Sequence, residues 1–409
     1  MINQQRLFNR LLHLSEIGKT GSGGVTRLAL TEKDQQGIAL LSEFMKEAGM
    51  QVRTDAAGNL IGTKQGRDAA APVVLTGSHS DTIVEGGIFD GALGIIGAIE
   101  AVQSMNERNI LTAHSIEVCA YRDEEGCRFT SGYSGSRIMT GQHDPEKLRR
   151  VDRDGVSVSQ ALQALGIDPD SVGLAARSPA SVKAHVELHI EQGNVLENEG
   201  YPVGIVTGIC ASSRSVVTIT GQARHAGTTP MTMRRDPMAA AAAVIHMIER
   251  EALSTGTTVA TVGSVVVSPG AVNVIAGSVV FSLDCRDIDE QVRDRVLDHI
   301  INQAKQICQS RLVDFDIQIY GRGGAKPCSE QIQEQIKLAC QQQQLQVFIL
   351  PSGAGHDSGS FHNFCPMGMI FVRSRDGISH NPAEWSTPQD CAAGANVLYR
   401  TLLALAVVV

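Results

Sequence analysis

The feature that most constrains this chain is a pair of short apolar runs that each end abruptly in carboxylates. Val73-Val74-Leu75-Thr76 leads into Gly77-Ser78-His79-Ser80-Asp81, and Ser115 to Tyr121 leads into Asp123-Glu124-Glu125-Gly126. Between them, Phe89-Asp90-Gly91 stands just before a largely apolar segment, Ala92 to Val102. Runs of this length read as buried strands. An open α/β sheet gathers its site at the carboxyl ends of its strands, which is where the histidine and the acids fall. Carboxylates this close repel one another in a dry pocket unless protons, water or cations intervene. The pattern predicts metal ligands together with a general base.

Composition narrows the setting. The 409 residues are 43% hydrophobic and 19% charged, the balance of an ordinary soluble protein long enough for two or more domains. A net charge of -8 supplies no basic footprint, so nucleic acid is not an expected partner. Local arginines and metals still allow a small anionic substrate. The nine cysteines are odd in number and contain no Cys-x-x-Cys, which favours reduced thiols over a disulfide frame. The N-terminus has no signal-like apolar core and no run reaches bilayer length, so the expectation is a cytoplasmic protein with no membrane partner.

Along the chain, α/β texture opens with an amphipathic helix inside residues 1 to 20. Thr31 caps a second helix from about Glu32 to Ala48, with Ile38, Leu41 and Met45 inward and Gly49 at its end. A further helix runs from about Val158 to Leu165, and Ser157 can cap it. Lys183 to Gln192 admits two periods. As helix, His185 and His189 fall four apart, but the zincin pattern places glutamate directly after the first histidine, and here it comes one place later. As strand, His185, Glu187, His189 and Glu191 share one face. The strand is preferred, and it delivers one of the histidines to a cleft.

From about Ser213 the texture changes. Strands are predicted at Ser215 to Thr220, Thr258 to Val267, Val279 to Arg286 and Phe315 to Ile319. Helices are predicted from Pro237 to about Ala252 and from Glu290 to Cys308. The order βαββαβ is a split ferredoxin-like pattern. It reads as an α+β domain over 213–321 inserted into a larger α/β domain made of 1–212 and 322–409. After it come a helix over Glu330 to Cys340, a strand at Val347 to Leu350, a loop with His356-Asp357, a strand at Met367 to Val372, and a helix opened by Thr387-Pro388.

His79, Asp90, Glu125, His189 and His380 are nitrogen and carboxylate donors on loop or glycine-flanked positions. Such a set suits zinc, manganese or cobalt better than calcium or magnesium, which favour all-oxygen shells. Each residue also has a plainer reading. Asp90 fits the N-cap of the following helix, Glu124-Glu125 an exposed turn, His189 a core hydrogen bond, His380 and His225 surface turns, Arg286 a snorkelling sheet residue and Asn273 a turn bridge.

Taken together, the motifs resemble the metal-dependent amidohydrolases related to aminoacylases and to co-catalytic zinc carboxypeptidases. Within that group the chain is similar to the ureido hydrolases, which comprise N-carbamoyl-L-amino-acid hydrolases, β-ureidopropionase and allantoate amidohydrolase. The resemblance runs from Gly23-Gly24-Val25-Thr26-Arg27-Leu28 to His380-Asn381-Pro382-Ala383-Glu384. It is most specific at Gly77-Ser78-His79, Phe89-Asp90-Gly91, Asp123-Glu124-Glu125-Gly126, Glu187 to Gly193, and His225-Ala226-Gly227-Thr228-Thr229-Pro230-Met231.

The resemblance implies a mixed-sheet catalytic domain with an inserted lid and dimerisation domain, working as a homodimer. It implies two divalent ions per subunit (zinc, manganese, cobalt or nickel), one on His79, Asp90 and His189, the other on Asp90, Glu125 and His380. Asp81 would orient His79, and Glu124 would be the general base. Asn273 and Arg286 would hold the substrate carboxylate, His225 would reach the neighbouring subunit's oxyanion, and Gln192 and His356 would line the pocket. The implied reaction is hydrolysis of the terminal ureido amide of an N-carbamoyl-L-amino acid to the L-amino acid, ammonia and carbon dioxide. Arg214 matches an arginine of the allantoate enzymes and keeps allantoate as the alternative substrate; β-ureidopropionase, peptidase or aminoacylase activity fits less well.

Overall fold

The two apolar runs form adjacent parallel strands, Val73–His79 and Ile116–Tyr121, with Val74 opposite Ile116 and His79 opposite Tyr121. A parallel pair needs a crossover, and the buried helix Ala92–Glu107 supplies it. Val182–Ile190 lies parallel on the other flank of Val73–His79, and Met367–Val372 lies parallel beyond that. Four strands therefore run the same way and finish at one edge. Antiparallel neighbours complete the mixed sheet. Leu60–Lys64 and then Gln51–Thr54 follow Ile116–Tyr121, and Val203–Ile209 follows Met367–Val372.

The structure, a computed structural model, describes residues 1–407. The chain divides into two units. One comprises Met1–Thr207, Cys328–Leu350 and the residues from Ala354 onward; the other comprises Gly208–Pro327 with Pro351–Gly353. In the first unit, helices Gln4–Ser15, Ala92–Glu107 and Pro388–Ala406 pack together over the sheet, with Leu7, Leu11, Ile96, Ile99, Val186, Leu188 and Leu398 in their shared core. Helix Glu32–Glu47 begins as read, with the Thr31 side chain accepting from the Asp34 N–H. Ser157 caps Val158–Ala164 through a reciprocal box with Gln160.

Val182–Ile190 is the strand that the period suggested, but its polar face is not open. His185 and Glu187 are fully buried. His185 bonds the Tyr121 hydroxyl and Ser358 Oγ, both at 3.0 Å, and stacks on Phe361. Glu187 accepts from Ser78 Oγ at 2.7 Å and from the Ser358 N–H at 2.8 Å. Only His189, nearest the strand end, points to the acids.

In the second unit the strands order as Val265–Ser268, Ser278–Asp287, Ala211–Thr220, Asp314–Gly323, all neighbours antiparallel. This is the ferredoxin-like arrangement. Helices Pro237–Thr255 and Glu290–Ser310 cover one face, burying Val279, Phe281, Leu283 and Cys285. The single strand expected over Thr258 to Val267 is two, Val259–Thr261 and Val265–Ser268. The break falls at Gly263-Ser264, whose N–H groups donate to the Ser282 side chain instead of to a neighbouring backbone. The first strand starts earlier than read, at Ala211, and continues its alternation of buried and open residues through Thr220.

Candidate metal centre

The four parallel strands deliver their following residues to one place. His79 ends its strand, Glu124 and Glu125 follow Tyr121, His189 is next to last in its strand, and His380 follows Met367–Val372. Asp90 lies between them. Its Oδ1 is 3.3 Å from His79 Nε2 and 3.2 Å from His189 Nε2, while its Oδ2 is 3.3 Å from His380 Nε2. Each oxygen of one carboxylate thus faces a different set of imidazoles. Glu124 Oε2 lies 3.9 Å from His79 Nε2, and Glu125 Oε1 lies 3.7 Å from His380 Nε2.

Asp90 is not the helix cap of the plainer reading. The cap residue is Gly91, with φ of 64° and no side-chain cap bond. A Cβ on Gly91 would come within 2.5 Å of the His79 carbonyl, so glycine is needed for the turn that presents Asp90. Glu384 fixes the same turn. Its Oε1 accepts from the N–H groups of Phe89 and Asp90 at 3.0 and 3.1 Å, and its Oε2 accepts from Ser379 Oγ at 2.7 Å. Gly87 makes room for it, since a Cβ there would sit 2.1 Å from Glu384 Oε1. No role for Glu384 followed from the sequence, because its partners at Phe89 and Asp90 lie nearly three hundred residues away.

The imidazoles are set to offer Nε2. His79 Nδ1 lies 2.9 Å from the carbonyl of Asp81, and His189 Nδ1 lies 2.9 Å from the carbonyl of Ile190. An Nδ1–H held by a carbonyl leaves the Nε2 lone pair free for a cation. The expected orienting role of Asp81 therefore falls to its backbone oxygen. Its carboxylate is 3.9 Å from His79 Nδ1, and it accepts instead from the N–H groups of Glu124 at 3.1 Å and Glu125 at 3.3 Å. Asp81 holds the glutamate pair in place.

The electrostatics follow from burying so many acids. Burial opposes charge on His79, but Glu124, Asp90 and Asp81 outweigh it and lift its pKa well above the ordinary range. Glu124 is raised well above the usual carboxylate range by burial and by Asp357, Glu125 and Asp81, against the pull of His79. Glu125 is pushed up to about 7 by burial and by Asp90. His380 rises to about 9, chiefly through its contact with Asp90. These shifts describe a cluster short of positive charge. Divalent cations meet that need without protons, and the donor set fits them. His79, Asp90 and His189 place ligand atoms within 4.8 Å of one another, as do Asp90, Glu125 and His380, with Asp90 common to both groups.

Gln192 and His356 sit beside this cluster. Gln192 has φ of 60° and donates from Nε2 to Asp90 Oδ2 at 2.9 Å. His356 is buried edge-on to the His189 ring, 4.4 Å between centroids, and burial holds its pKa well below the ordinary value.

The other residues singled out from the sequence lie in the second unit, in two separate places. His225 pairs with Val274 across the two-stranded Arg224–His225 and Val274–Ile275 ribbon, and Asn273 accepts from the Ala226 N–H at 2.9 Å. The His225 ring is exposed, and its Nδ1 accepts from the N–H groups of Gly227 and Thr228 at 3.1 and 3.2 Å. Arg214 and Arg286 lie together around Asp284. Asn273 precedes the start of Ser278–Asp287, whereas Arg286 stands eight residues along it.

Comparison with known proteins gives the family of the chain. Residues 72–404 match the model of peptidase family M20/M25/M40. The chain belongs to that family. It is 51% identical over 406 residues to an N-carbamoyl-L-amino acid amidohydrolase of Geobacillus stearothermophilus, covering 99% of each chain. An allantoate amidohydrolase of Escherichia coli (strain K12) is 35% identical, covering 98% of each. Among solved structures, an amidase of the hydantoinase/carbamoylase family from Burkholderia multivorans superposes with a TM-score of 0.94 at 35% identity, covering 99% of this chain and 98% of the other. Among the described residues, no helix is long and apolar enough to cross a membrane.

Proposed function

We propose that this chain hydrolyses the terminal ureido amide of N-carbamoyl-L-amino acids, yielding the L-amino acid, ammonia and carbon dioxide. The observation that carries the reading is Asp90, whose two oxygens face separate histidines at the carboxyl edge of the sheet, with Glu124 alongside. The sequence similarity to the carbamoyl-amino-acid enzyme supplies the substrate class. His79, Asp90 and His189 would hold one divalent ion, and Asp90, Glu125 and His380 the other, drawn from zinc, manganese, cobalt or nickel. Two such ions lower the pKa of water and polarise the scissile carbonyl.

Glu124 is the base. It is buried and ligates neither ion in this assignment, and Asp81 pins its backbone. A buried carboxylate placed beside His79 can take a proton from the attacking water and return it to the departing nitrogen. The amide nitrogen leaves as ammonia, and the carbamate left on the amino acid then loses carbon dioxide. Arg286 takes the substrate carboxylate, to which its planar fork is matched.

The active unit is a homodimer in this reading. His225 and Asn273 sit at the Arg224–His225 and Val274–Ile275 ribbon, and the exposed ring of His225 supports a role at a partner's site. His225 then serves the oxyanion of the partner's site, and a donor on a separate unit can favour the transition state over the bound amide.

Allantoate is the second reading, and Arg214 favours it. Its guanidinium lies beside Asp284 near Arg286, where an extra ureido group would need a partner. Ammonia release from N-carbamoyl-L-methionine and from allantoate, by wild type and Arg214→Ala, separates the two. The first reading expects turnover of the carbamoyl compound well above allantoate. Turnover of allantoate alone, with Arg214→Ala hurting it selectively, overturns that choice.

A further inference from the structure

The open face of the second unit's sheet carries a recess of about 630 Å³ that includes Arg214, Thr261, Ser282, Asp284, Arg286 and Tyr320. Asp284 lies directly opposite Arg214 on one neighbouring strand and Thr261 on the other, so all three project from the same face. The alternation along Ser278–Asp287 sends Leu283 and Cys285 to the helices and leaves Ser282, Asp284 and Arg286 on the open side.

Asp284 and Arg286 meet fork to fork. Arg286 Nε donates to Oδ1 at 2.9 Å and Nη2 to Oδ2 at 2.7 Å, while Nη1 donates to the Gly353 carbonyl at 2.6 Å. Arg214 Nε lies 3.5 Å from the same Oδ2. Two guanidinium groups and one carboxylate leave a single net positive charge in the recess.

We propose that Asp284 sets the anionic charge this enzyme accepts. The recess neutralises one substrate carboxylate and turns away a substrate that brings two. The proposal rests on the reading of Arg286 as the carboxylate-binding group. N-carbamoyl-L-methionine has one carboxylate and matches the count, whereas the second carboxylate of N-carbamoyl-L-glutamate would face Asp284, and like charges brought together in a binding site are strongly disfavoured. Asp284 touches no reacting atom. It is a positioning residue that holds the Arg286 fork and fixes the charge around it.

The test uses the manganese-loaded enzyme and the near-isosteric Asp284→Asn, with Asp284→Ser as a second variant should the first fold poorly. Ammonia release from N-carbamoyl-L-methionine and N-carbamoyl-L-glutamate gives kcat and KM for each, at low and high salt. Relative to wild type, the variant is expected to raise the glutamate-to-methionine ratio of kcat/KM by about tenfold, mainly through KM. The gain should shrink in high salt, because the recess is partly open to solvent. If Asp284 only braces Arg286, both substrates lose the same factor and the ratio stays put, which overturns the proposal. Absence of wild-type turnover on both substrates overturns the underlying functional reading instead, so the two failures are distinct.

Discussion

Asp81→Asn isolates what the carboxylate behind the candidate metal ligands does. In the structure its two oxygens accept the N–H groups of Glu124 at 3.1 Å and Glu125 at 3.3 Å, and its backbone carbonyl takes His79 Nδ1. Asparagine keeps the carbonyl and one side-chain acceptor but turns an NH2 toward the other N–H. One bond to a charged acceptor is lost, with a net value of about 1.5 to 3 kcal/mol. If that bond serves to hold Glu124 in the transition state, kcat falls by about 10- to 150-fold. Steady-state ammonia release measured at saturating metal, alongside metal content by elemental analysis, separates the possibilities. The structure predicts nearly full metal occupancy with depressed kcat. A fall in kcat matched by a fall in metal content would show that the carboxylate works through His79, and unchanged kcat at normal occupancy would refute its positioning role.

Other perturbations read the remaining groups. Glu124→Gln should keep both ions and substrate affinity while cutting turnover by about 10² to 10⁴, whereas Glu125→Gln should loosen one ion; metal titration and kinetics showing the reverse would swap the two assignments. Mixing inactive His225→Ala subunits with inactive Glu124→Gln subunits should restore activity towards half of the wild-type level per dimer, because each heterodimer then has one site with both defects and one with neither. No recovery despite verified subunit exchange would rule out a crossing His225.

Much of the site could be read before the fold, because the chemistry sits where strand ends must go. His79, Glu124, Glu125 and His189 all lie at or just past the carboxyl ends of parallel strands, whereas Glu117 and Glu187 inside those strands are tied to partners of their own, Arg177 and Ser78. The ferredoxin-like order was legible for a similar reason: the alternation along Ser278–Asp287 and the helical stripe of Glu290–Ser310 are both one-sided. What was not legible depended on contacts between distant segments. Glu384 bonds the backbone at Phe89 and Asp90 across nearly three hundred residues, and no local pattern announces that. The resemblance implies that Asp81 orients His79, yet the turn aims the Asp81 carbonyl at the ring and the carboxylate at the next strand's loop. Alternation in Val182–Ile190 marked two faces but not that both would be buried, which is why His185 is a core residue and not a ligand. The pairing of Asp284 with Arg214 required the strand register.

The central claim is that Asp90 bridges two ions. Anomalous scattering from crystals of active protein, loaded with manganese or zinc and collected at the metal edge, tests it most directly. Two peaks are predicted on either side of the Asp90 carboxylate, one against His79 and His189 and the other against Glu125 and His380. No ion beside Asp90 in active, metal-replete crystals would contradict the account.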